Sequence, residues 1–345
     1  MDFKKAFDSV PHQRLIFKLS QYGITGNLLQ WISDFLSERH QYVKINNSKS
    51  PSQKVTSGVP QGSVLGPMLF VYFINDLPEI TTVRTKIFAD DTKAYTEIRN
   101  EQDHANLQTT IDRMYNWTTE WQLNFNETKC KILHLGENNP NRKYYIGNED
   151  SRMELESTVL EKDLGVQIDP QLSFDSHINM IIKKASSKSA QILENFSYRS
   201  KKVLVPLFKS LVRPVLEYAN NSWNSNHRYH VDDIEAVQRR FTRHILEAKR
   251  LPYEERLKKI NLPSLEFRRF RGDLIETYKI AHNIYDKISV NSLLKFRANS
   301  RLRGHNFTIV KNLTKKNAYQ NFFSNRVCNT WNNLSSGMRE ILTHY

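Results

Sequence analysis

The pattern of apolar residues changes at Asp169-Pro170, and this change limits the folds that the chain can adopt. Before it, segments with helical spacing mix with short segments in which apolar and polar residues alternate, as they do in β-strands. After it, the patterned segments are long, amphipathic and basic, and they predict helices at 174–196, 203–218, 231–247 and 265–285. The order predicts an α+β domain followed by helices, and 345 residues are too many for one ordinary domain.

The part before this change contains both kinds of element. Helical spacing predicts helices at 6–20, 28–36, 65–75 and 107–123. Alternation predicts strands at 41–45, 53–56, 131–135 and 164–168. The helix at 65–75 has no polar stripe, so we expect it to be buried.

Charge is distributed as unevenly as the apolar pattern. Residues 1–170 contain 19 Lys and Arg against 22 Asp and Glu, a net charge of −3, whereas residues 171–345 contain 31 against 14, a net charge of +17. Phe, Tyr and Trp are interleaved with the basic residues of the second half, which favours a nucleic acid as the partner. A basic surface that serves only solubility is the alternative. An anionic membrane fits less well, because the basic residues are not confined to one short helix.

Cysteine content and hydropathy exclude several classes of protein. Two cysteines, Cys130 and Cys328, are too few for a disulfide framework or a cysteine-rich zinc site. The longest apolar run, 67–77, contains Asn75 and Asp76 and predicts no membrane span, and the chain begins without an apolar signal segment. We therefore expect a soluble, intracellular protein with reduced thiols, with both nucleus and cytoplasm open.

Three carboxylates are candidate metal ligands: Asp2, Asp90 and Asp91. Strands predicted at 85–88 and 93–96 form a hairpin whose tip carries Asp90 and Asp91 side by side. A divalent cation relieves the repulsion between adjacent carboxylates, whose hard oxygens suit Mg²⁺. Asp2 would complete a site for two cations, which can activate a 3′-hydroxyl and neutralise a departing pyrophosphate. An ordinary polar turn is the competing interpretation, because Asp is favoured in turns.

Several segments resemble, in order and spacing, the motifs of reverse transcriptases. Motifs A, B and C are matched by 2–12 (DFKKAFDSVPH), 57–63 (SGVPQGS) and 88–91 (FADD). Motifs D and E are matched by 123–129 (LNFNETK) and 163–166 (DLGV). Two further segments, 212–219 (VRPVLEYA) and 322–327 (FFSNRV), are similar to the C-terminal region of non-LTR, LINE-type retrotransposons. The chain thus resembles the reverse transcriptase of the jockey-like elements over nearly its whole length.

The resemblance implies an RNA-directed DNA polymerase that adds dNTPs to a primer 3′-OH on an RNA template. Its cofactor would be two Mg²⁺ ions, with Mn²⁺ as a possible substitute, and its partners the RNA template, the DNA primer and dNTPs, with no membrane. The implied fold is a reverse-transcriptase palm of antiparallel sheet and helices over 1–170, without fingers. A helical thumb over 171–260 and a basic helical C-terminal region over 261–345 would follow. The oligomeric state stays open.

The resemblance also implies roles for individual residues. The metal ligands would be Asp2, Asp90 and Asp91, and Lys129 would be an acid for the departing pyrophosphate. The nucleotide-binding candidates are Phe3, Phe7, Gly58, Gln61 and Gly62. The primer-grip candidates are Leu164, Gly165 and Val166. The candidates for phosphate contacts in the helical part are Arg199, Lys201, Lys202, Arg239, Arg240, Arg243 and Lys249.

These roles have competing structural interpretations. The Phe7 ring would exclude a 2′-hydroxyl and so select deoxynucleotides, but Phe7 also fits the core face of the helix at 6–20. Gln61 would offer its amide to the template strand or the incoming base pair, although its loop also suits a simple connector. Lys129 and each single basic residue also fit a solvated surface charge. Together, the basic residues predict salt-dependent, sequence-independent binding.

The position of Asp2 at the start of the chain gives a further expectation. The strand before motif A, the fingers and an endonuclease region would all be missing, so we expect a partial polymerase that is weak or inactive alone. A non-catalytic nucleic-acid-binding remnant is the alternative, although every motif aspartate and glycine is kept. A third interpretation is an RNA-folding accessory protein of the maturase kind, which would prefer one structured RNA.

Overall fold

The computed structural model describes residues 1–225, 227–285, 293–297, 307–314 and 317–334. The chain divides into two compact units, Met1–Val159 and Leu160–Tyr345. The domain limits predicted at residues 170 and 260 stay predictions. None of the helices in the described ranges combines the length and hydropathy that crossing a bilayer requires.

The first unit mixes helices with short strands. Its α-helices are α1 (Ala6–Ser9), α2 (His12–Gln21), α3 (Gly26–Leu36), α4 (Leu65–Ile74) and α5 (Glu101–Trp121). The single helix predicted over 6–20 is wrong, because Val10 is extended before Pro11, as residues before proline prefer, and this separates α1 from α2. α5 begins earlier than predicted, where Asn100 and Asp103 form a reciprocal capping box.

α4 is only half buried, although its lack of polar residues predicts full burial. Phe70 and Phe73 on its inner face are completely buried in the core of the first unit. On the opposite face Val64 is 87% exposed, Met68 is 50% exposed and Val71 is 49% exposed. The predicted burial is confirmed for the inner face and is wrong for this outer row, since an apolar composition does not state how many sides of a helix have neighbours.

The strands of the first unit form small two-stranded sheets rather than one continuous sheet. The antiparallel pairs are β1 (His40–Gln41) with β4 (Gln53–Lys54), β2 (Lys44–Ile45) with β3 (Ser48–Lys49), β5 (Arg84–Phe88) with β6 (Asp91–Tyr95), and β8 (Tyr145–Ile146) with β9 (Met153–Glu154). β7 (Lys131–Leu133) pairs in parallel with β10 (Glu156–Thr158). The predicted mixture of helices and strands is confirmed, whereas a single antiparallel sheet is not what these pairings form.

The second unit begins with a hairpin and continues as helices. The hairpin pairs β11 (Glu161–Asp163) with β12 (Val166–Ile168). The helices are α6 (Asp175–Asn195), α7 (Lys201–Leu207), α8 (Arg213–Glu217), α9 (Asn220–Trp223), α10 (Arg228–Thr242), α11 (Tyr253–Ile260), α12 (Leu265–Ala281), α13 (Asn317–Asn321) and α14 (Phe323–Asn333). The helix predicted over 203–218 is interrupted by a π-helical turn, Phe208–Val212, which follows a proline inside α7.

Two hydrophobic clusters stabilise this unit. One is built around the fully buried side chains of Phe208, Trp223 and Phe241. The other contains Phe323 and Trp331 of α14, packed against the C-terminal part of α12.

Candidate active site

Residues 1–4 lie between the β5–β6 hairpin and the segment 124–126. Met1 and Thr92 exchange two hydrogen bonds, from the Met1 amine to the Thr92 carbonyl at 2.8 Å and from the Thr92 N–H to the Met1 carbonyl at 3.3 Å. On the other side, the Asn126 N–H donates to the Asp2 carbonyl at 2.7 Å. Two bonds between the same two residues define an antiparallel pair, so the next pair in this register is Asp2 opposite Asp91. Cross-strand partners project to the same face, which brings motif A and motif C together.

The hairpin that carries Asp90 and Asp91 is confirmed, with a tighter turn than predicted. Phe88 pairs with Asp91, which leaves Ala89 and Asp90 as a two-residue turn. Ala89 has a φ of 50°, a value that two-residue hairpin turns of the primed types require. Asp90 is therefore at the tip of the hairpin, and Asp91 is the first residue of β6.

Lys129 forms an ion pair with the first aspartate of motif A. Its Nζ lies 3.6 Å from Oδ2 of Asp2, and its side chain is otherwise exposed. The neighbouring Cys130 is buried, and its Sγ accepts a hydrogen bond from the Asp2 N–H at 3.4 Å. Burial raises the pKa of the Cys130 thiol, so this sulfur stays protonated at neutral pH. Motif D therefore holds both the backbone and the carboxylate of Asp2.

The predicted ligands Asp2, Asp90 and Asp91 do not form a metal-binding cluster in the described part of the chain. Within the described ranges, no three His, Cys, Asp or Glu side chains are arranged to hold a metal ion. The donor set has the hard oxygens that Mg²⁺ prefers, and the register puts Asp2 and Asp91 on one face. The donor chemistry fits a divalent cation, but the Asp2 carboxylate is engaged with Lys129 and would have to reorient to bind one.

The motif B loop is bonded directly to motif A. The Gly58 N–H donates to the Val10 carbonyl at 2.8 Å, and the Val59 N–H donates to the Phe7 carbonyl at 2.7 Å. Gly58 has a φ of +90°, and a Cβ at this position would lie 2.7 Å from the Cα and the carbonyl oxygen of Asp8. Only glycine allows this approach. Gly58 therefore has a structural role that the resemblance to motif B does not by itself specify.

Gln61 is oriented by a motif A carboxylate. Its Nε2 donates to Oδ1 of Asp8 at 2.9 Å, and both side chains are exposed. A carboxylate only accepts hydrogen bonds, so the amide nitrogen of Gln61 must face Asp8 and its oxygen is directed elsewhere. Asp8 was not among the predicted site residues, although its place in motif A gives a signal for it. Gly62, the other predicted glycine, also has a positive φ, of +83°, but apart from its chain neighbours no atom of the described residues lies within 4 Å of its Cβ position.

The two motif A phenylalanines differ in placement. Phe7 is half buried and stacks on Phe70, with ring centroids 4.4 Å apart and an interplanar angle of 27°. Phe3 is only 3% exposed and stacks on Phe125 at 4.5 Å. The ring of Phe3 is enclosed in the core, so the prediction that Phe3 binds a nucleotide stays a prediction in which the ring is not available for contact.

The predicted primer-grip residues lie in the β11–β12 hairpin of the second unit. Leu164 and Gly165 form its two-residue turn with φ values of 43° and 87°, so the strand predicted from residue 164 begins only at Val166. The hydroxyl of Tyr218 donates to the Leu164 carbonyl at 3.0 Å. A Cβ on Gly165 would lie 3.2 Å from the Tyr218 ring. Tyr218 fixes this turn and is a residue that sequence reasoning missed, although it lies in the segment 212–219.

The seven predicted phosphate contacts fall into two groups. Four are exposed: Lys202, Arg240, Arg243 and Lys249. The other three have internal contacts: Arg199 donates to the Leu193 carbonyl at 3.2 Å, Lys201 donates to the Lys259 carbonyl at 3.0 Å, and the Arg239 guanidinium lies 5.0 Å from the centroid of the Tyr253 ring. The exposed group is therefore better placed to contact a polyanion.

Comparison with known proteins identifies the family. The family model described as "Reverse transcriptase (RNA-dependent DNA polymerase)" matches residues 1–193, which is more than half of the chain. The chain belongs to the reverse transcriptase family. This confirms the family that motifs A to E predict.

Individual relatives come from Drosophila melanogaster retrotransposons. The chain is 28% identical over 258 residues to the protein named "RNA-directed DNA polymerase from mobile element jockey", a match that covers 71% of this chain and 28% of the relative. It is 27% identical over 254 residues to the "Probable RNA-directed DNA polymerase from transposon X-element", covering 70% and 27%. A third relative, from transposon BS, is 24% identical over 340 residues, covering 91% and 33%. The chain therefore spans at most 33% of the length of these relatives.

Proposed function

We propose that this chain is the polymerase part of a jockey-like retrotransposon protein and extends a primer 3′-OH with dNTPs on an RNA template. Residues 1–170 would form the palm, 171–260 the thumb and 261–345 a basic C-terminal region. The observation that carries the proposal is the backbone pairing of Met1 with Thr92, because it brings the start of motif A next to the end of motif C.

Asp2, Asp90 and Asp91 are the residues that would hold divalent cations, with Mg²⁺ as the expected metal. Bound ions would lower the cost of forming the 3′-alkoxide and of releasing pyrophosphate. Lys129 is already 3.6 Å from the Asp2 carboxylate, so its ammonium group is close to where a departing pyrophosphate would be. We assign to it the donation of a proton to that leaving group.

The nucleotide would be positioned by motifs A and B. The Phe7 ring is supported from behind by Phe70, so it cannot easily move aside for a 2′-hydroxyl, and this supports its role in selecting deoxynucleotides. Because the amide nitrogen of Gln61 donates to Asp8, its amide oxygen is the group that would accept a hydrogen bond from the incoming nucleotide. Gly58 and Gly62 would let the loop backbone approach that nucleotide.

Primer and template would be held mainly by the second unit. The turn formed by Leu164 and Gly165, with Val166 after it, presents backbone groups that could grip the primer end. The exposed side chains of Lys202, Arg240, Arg243 and Lys249 would neutralise phosphates. Because each phosphate contact releases counterions, binding should weaken steeply as salt rises.

A second candidate function is nucleic-acid binding without catalysis. It is favoured by one observation, the ion pair of Asp2 with Lys129 in place of a cluster of carboxylates within the described ranges. In this case the basic second unit would bind RNA and the first unit would stay inactive.

Primer extension with the purified chain separates the two functions. We expect weak, Mg²⁺-dependent extension of a DNA primer on an RNA template, lost in Asp90→Asn. The matched control is Asp34→Asn, which changes an exposed aspartate of α3 outside the motifs and should retain activity. Salt-dependent binding of the primer–template without any extension by the unmodified chain, in either Mg²⁺ or Mn²⁺, would support the second function.

A further inference from the structure

A cavity of about 230 Å³ lies in the second unit, and its lining is charged. α12 contributes Arg269, Phe270 and Asp273 to it, and α14 contributes Arg326. Arg269 is only 2% exposed, and Asp273 and Arg326 are also buried. Cavities that stay empty in proteins are apolar, so a cavity with such a lining needs polar contents.

The pair of Arg326 and Asp273 needs no ligand. Two nitrogens of Arg326 donate to the two carboxylate oxygens of Asp273, both at 2.8 Å. The same guanidinium also donates to the carbonyls of Asn321 at 2.8 Å and Asn221 at 2.9 Å. This ion pair is complete and forms a fixed wall of the cavity.

Arg269 is not satisfied in this way. Its Nη1 has no hydrogen-bond partner in the part of the chain that the structure describes. Burial lowers the pKa of the Arg269 guanidinium, and nearby carboxylates oppose this shift: Glu235, Glu266, Glu217 and Asp273. The charge of Arg269 is thus balanced through space, but its Nη1 lacks an acceptor, and a buried donor without an acceptor is costly.

This combination decides the chemistry of a ligand. The carboxylates around Arg269 would repel an anionic ligand, whereas a neutral group with acceptor atoms would satisfy the Nη1 donor. Guanine presents O6 and N7, neighbouring neutral acceptors of the kind that arginine N–H groups bind. The Glu266 carboxylate in the lining can accept from guanine N–H groups, and Phe270, 44% exposed, offers a ring for stacking.

The size of the cavity agrees with a base rather than a nucleotide. Its volume of about 230 Å³ equals that of about eight liquid waters at roughly 30 Å³ each. That space admits a flat base and leaves the sugar and phosphate outside. The basic residues that give 171–345 its net charge of +17 would attract the phosphates.

We propose that this cavity binds an unpaired guanine base of a single-stranded nucleic acid, with Arg269 donating to its acceptor edge and Phe270 stacking on its ring. The inference rests on the proposed function only in that it takes a nucleic acid as the ligand. Guanine recognition here would give the basic unit a sequence preference in addition to its phosphate contacts.

Fluorescence anisotropy with short oligouridylate RNAs tests this binding without metal or dNTPs, so its outcome is independent of polymerase activity. One RNA carries a single central guanosine, and the others carry 7-deazaguanosine, adenosine or uridine at that place. We expect the guanosine RNA to bind about 5- to 150-fold more tightly than the uridine RNA, and removal of N7 to abolish much of this preference. The same comparison with the matching DNAs identifies the preferred nucleic acid, and a guanine preference in either RNA or DNA supports the site.

Variants distinguish binding of guanine in the cavity from general attraction between the basic residues and RNA. Arg269→Met and, because a buried arginine can matter for folding, the more exposed Phe270→Ala should each reduce the preference for guanosine. Arg271→Met is the matched control, an exposed arginine of the same helix, and should weaken all RNAs equally. Equal affinity of the unmodified chain for all four RNAs would overturn the proposal and mean that the cavity holds only water.

Discussion

Replacement of Gly58 by alanine tests whether close packing of motif B on motif A maintains the candidate active site. At a φ of +90° an alanine is strained by about 1–3 kcal/mol. The new Cβ would also lie 2.7 Å from backbone atoms of Asp8, which cannot rotate away, and overpacking of this kind costs about 1–3 kcal/mol more. We expect Gly58→Ala to lower the free energy of unfolding by about 2–6 kcal/mol.

Gly62→Ala is the matched control for this prediction. Its φ of +83° is nearly the same, but within the described ranges only its chain neighbours lie within 4 Å of the new Cβ, so only the conformational strain applies. Urea denaturation should therefore show Gly58→Ala to be less stable than Gly62→Ala by about 1–3 kcal/mol. Primer extension should fall more in Gly58→Ala, because the new Cβ would displace the backbone of Asp8 in motif A. Equal destabilisation by the two substitutions would refute the contact with Asp8 as the reason for glycine at position 58.

Three further changes probe other contacts. Lys18→Ala removes the buried ammonium group that lies 2.6 Å from the Asp76 carboxylate, and urea denaturation should show a free energy of unfolding lower by about 3 kcal/mol. A decrease of less than about 1 kcal/mol would contradict this. Burial lowers the pKa of His177 to about 4 from an unfolded value of about 6.5, so the free energy of unfolding should decrease by up to about 3 kcal/mol as the pH falls from 6.5 to 4. Urea denaturation of His177→Gln across this range should show that this pH dependence is lost. Tyr218→Phe removes the 3.0 Å hydrogen bond to the Leu164 carbonyl and should lower the free energy of unfolding by about 1 kcal/mol. It should also raise the KM for primer–template and leave the KM for dNTPs unchanged; an unchanged KM for primer–template would show that Tyr218 does not position the turn.

The features that sequence predicts correctly are local ones. The hairpin with Asp90 at its tip follows from alternation on both sides of a short polar turn, and the structure confirms it. The helices after Asp169-Pro170 follow from long amphipathic patterns that tolerate local irregularity. Motif order was enough to predict the family, because several short segments with fixed order and spacing seldom occur together by chance.

The features that sequence does not predict depend on long-range contacts. The ring of Phe3 is buried because Phe125 stacks on it, and no local pattern tells which face of residues 1–4 meets the segment 124–126. The pairing of Lys129 with Asp2 has the same origin. The exposed row of α4 shows the converse case, in which an apolar helix lacks neighbours on one side within the described chain. The role of each site residue stays a prediction for this reason, since the contacts of the functional complex are also long-range.

The two cysteines provide a way to observe motion in each compact unit separately. Cys130 lies in the first unit and Cys328 in the second, and each is only 1% exposed. Burial raises the pKa of both thiols, so alkylating reagents, which react with the thiolate, should modify each sulfur only when its surroundings open. The rate of modification at Cys130 would then report how often the backbone around Asp2 separates from its neighbours, and the rate at Cys328 would report the opening of α14. The chain needs no introduced label for such a measurement.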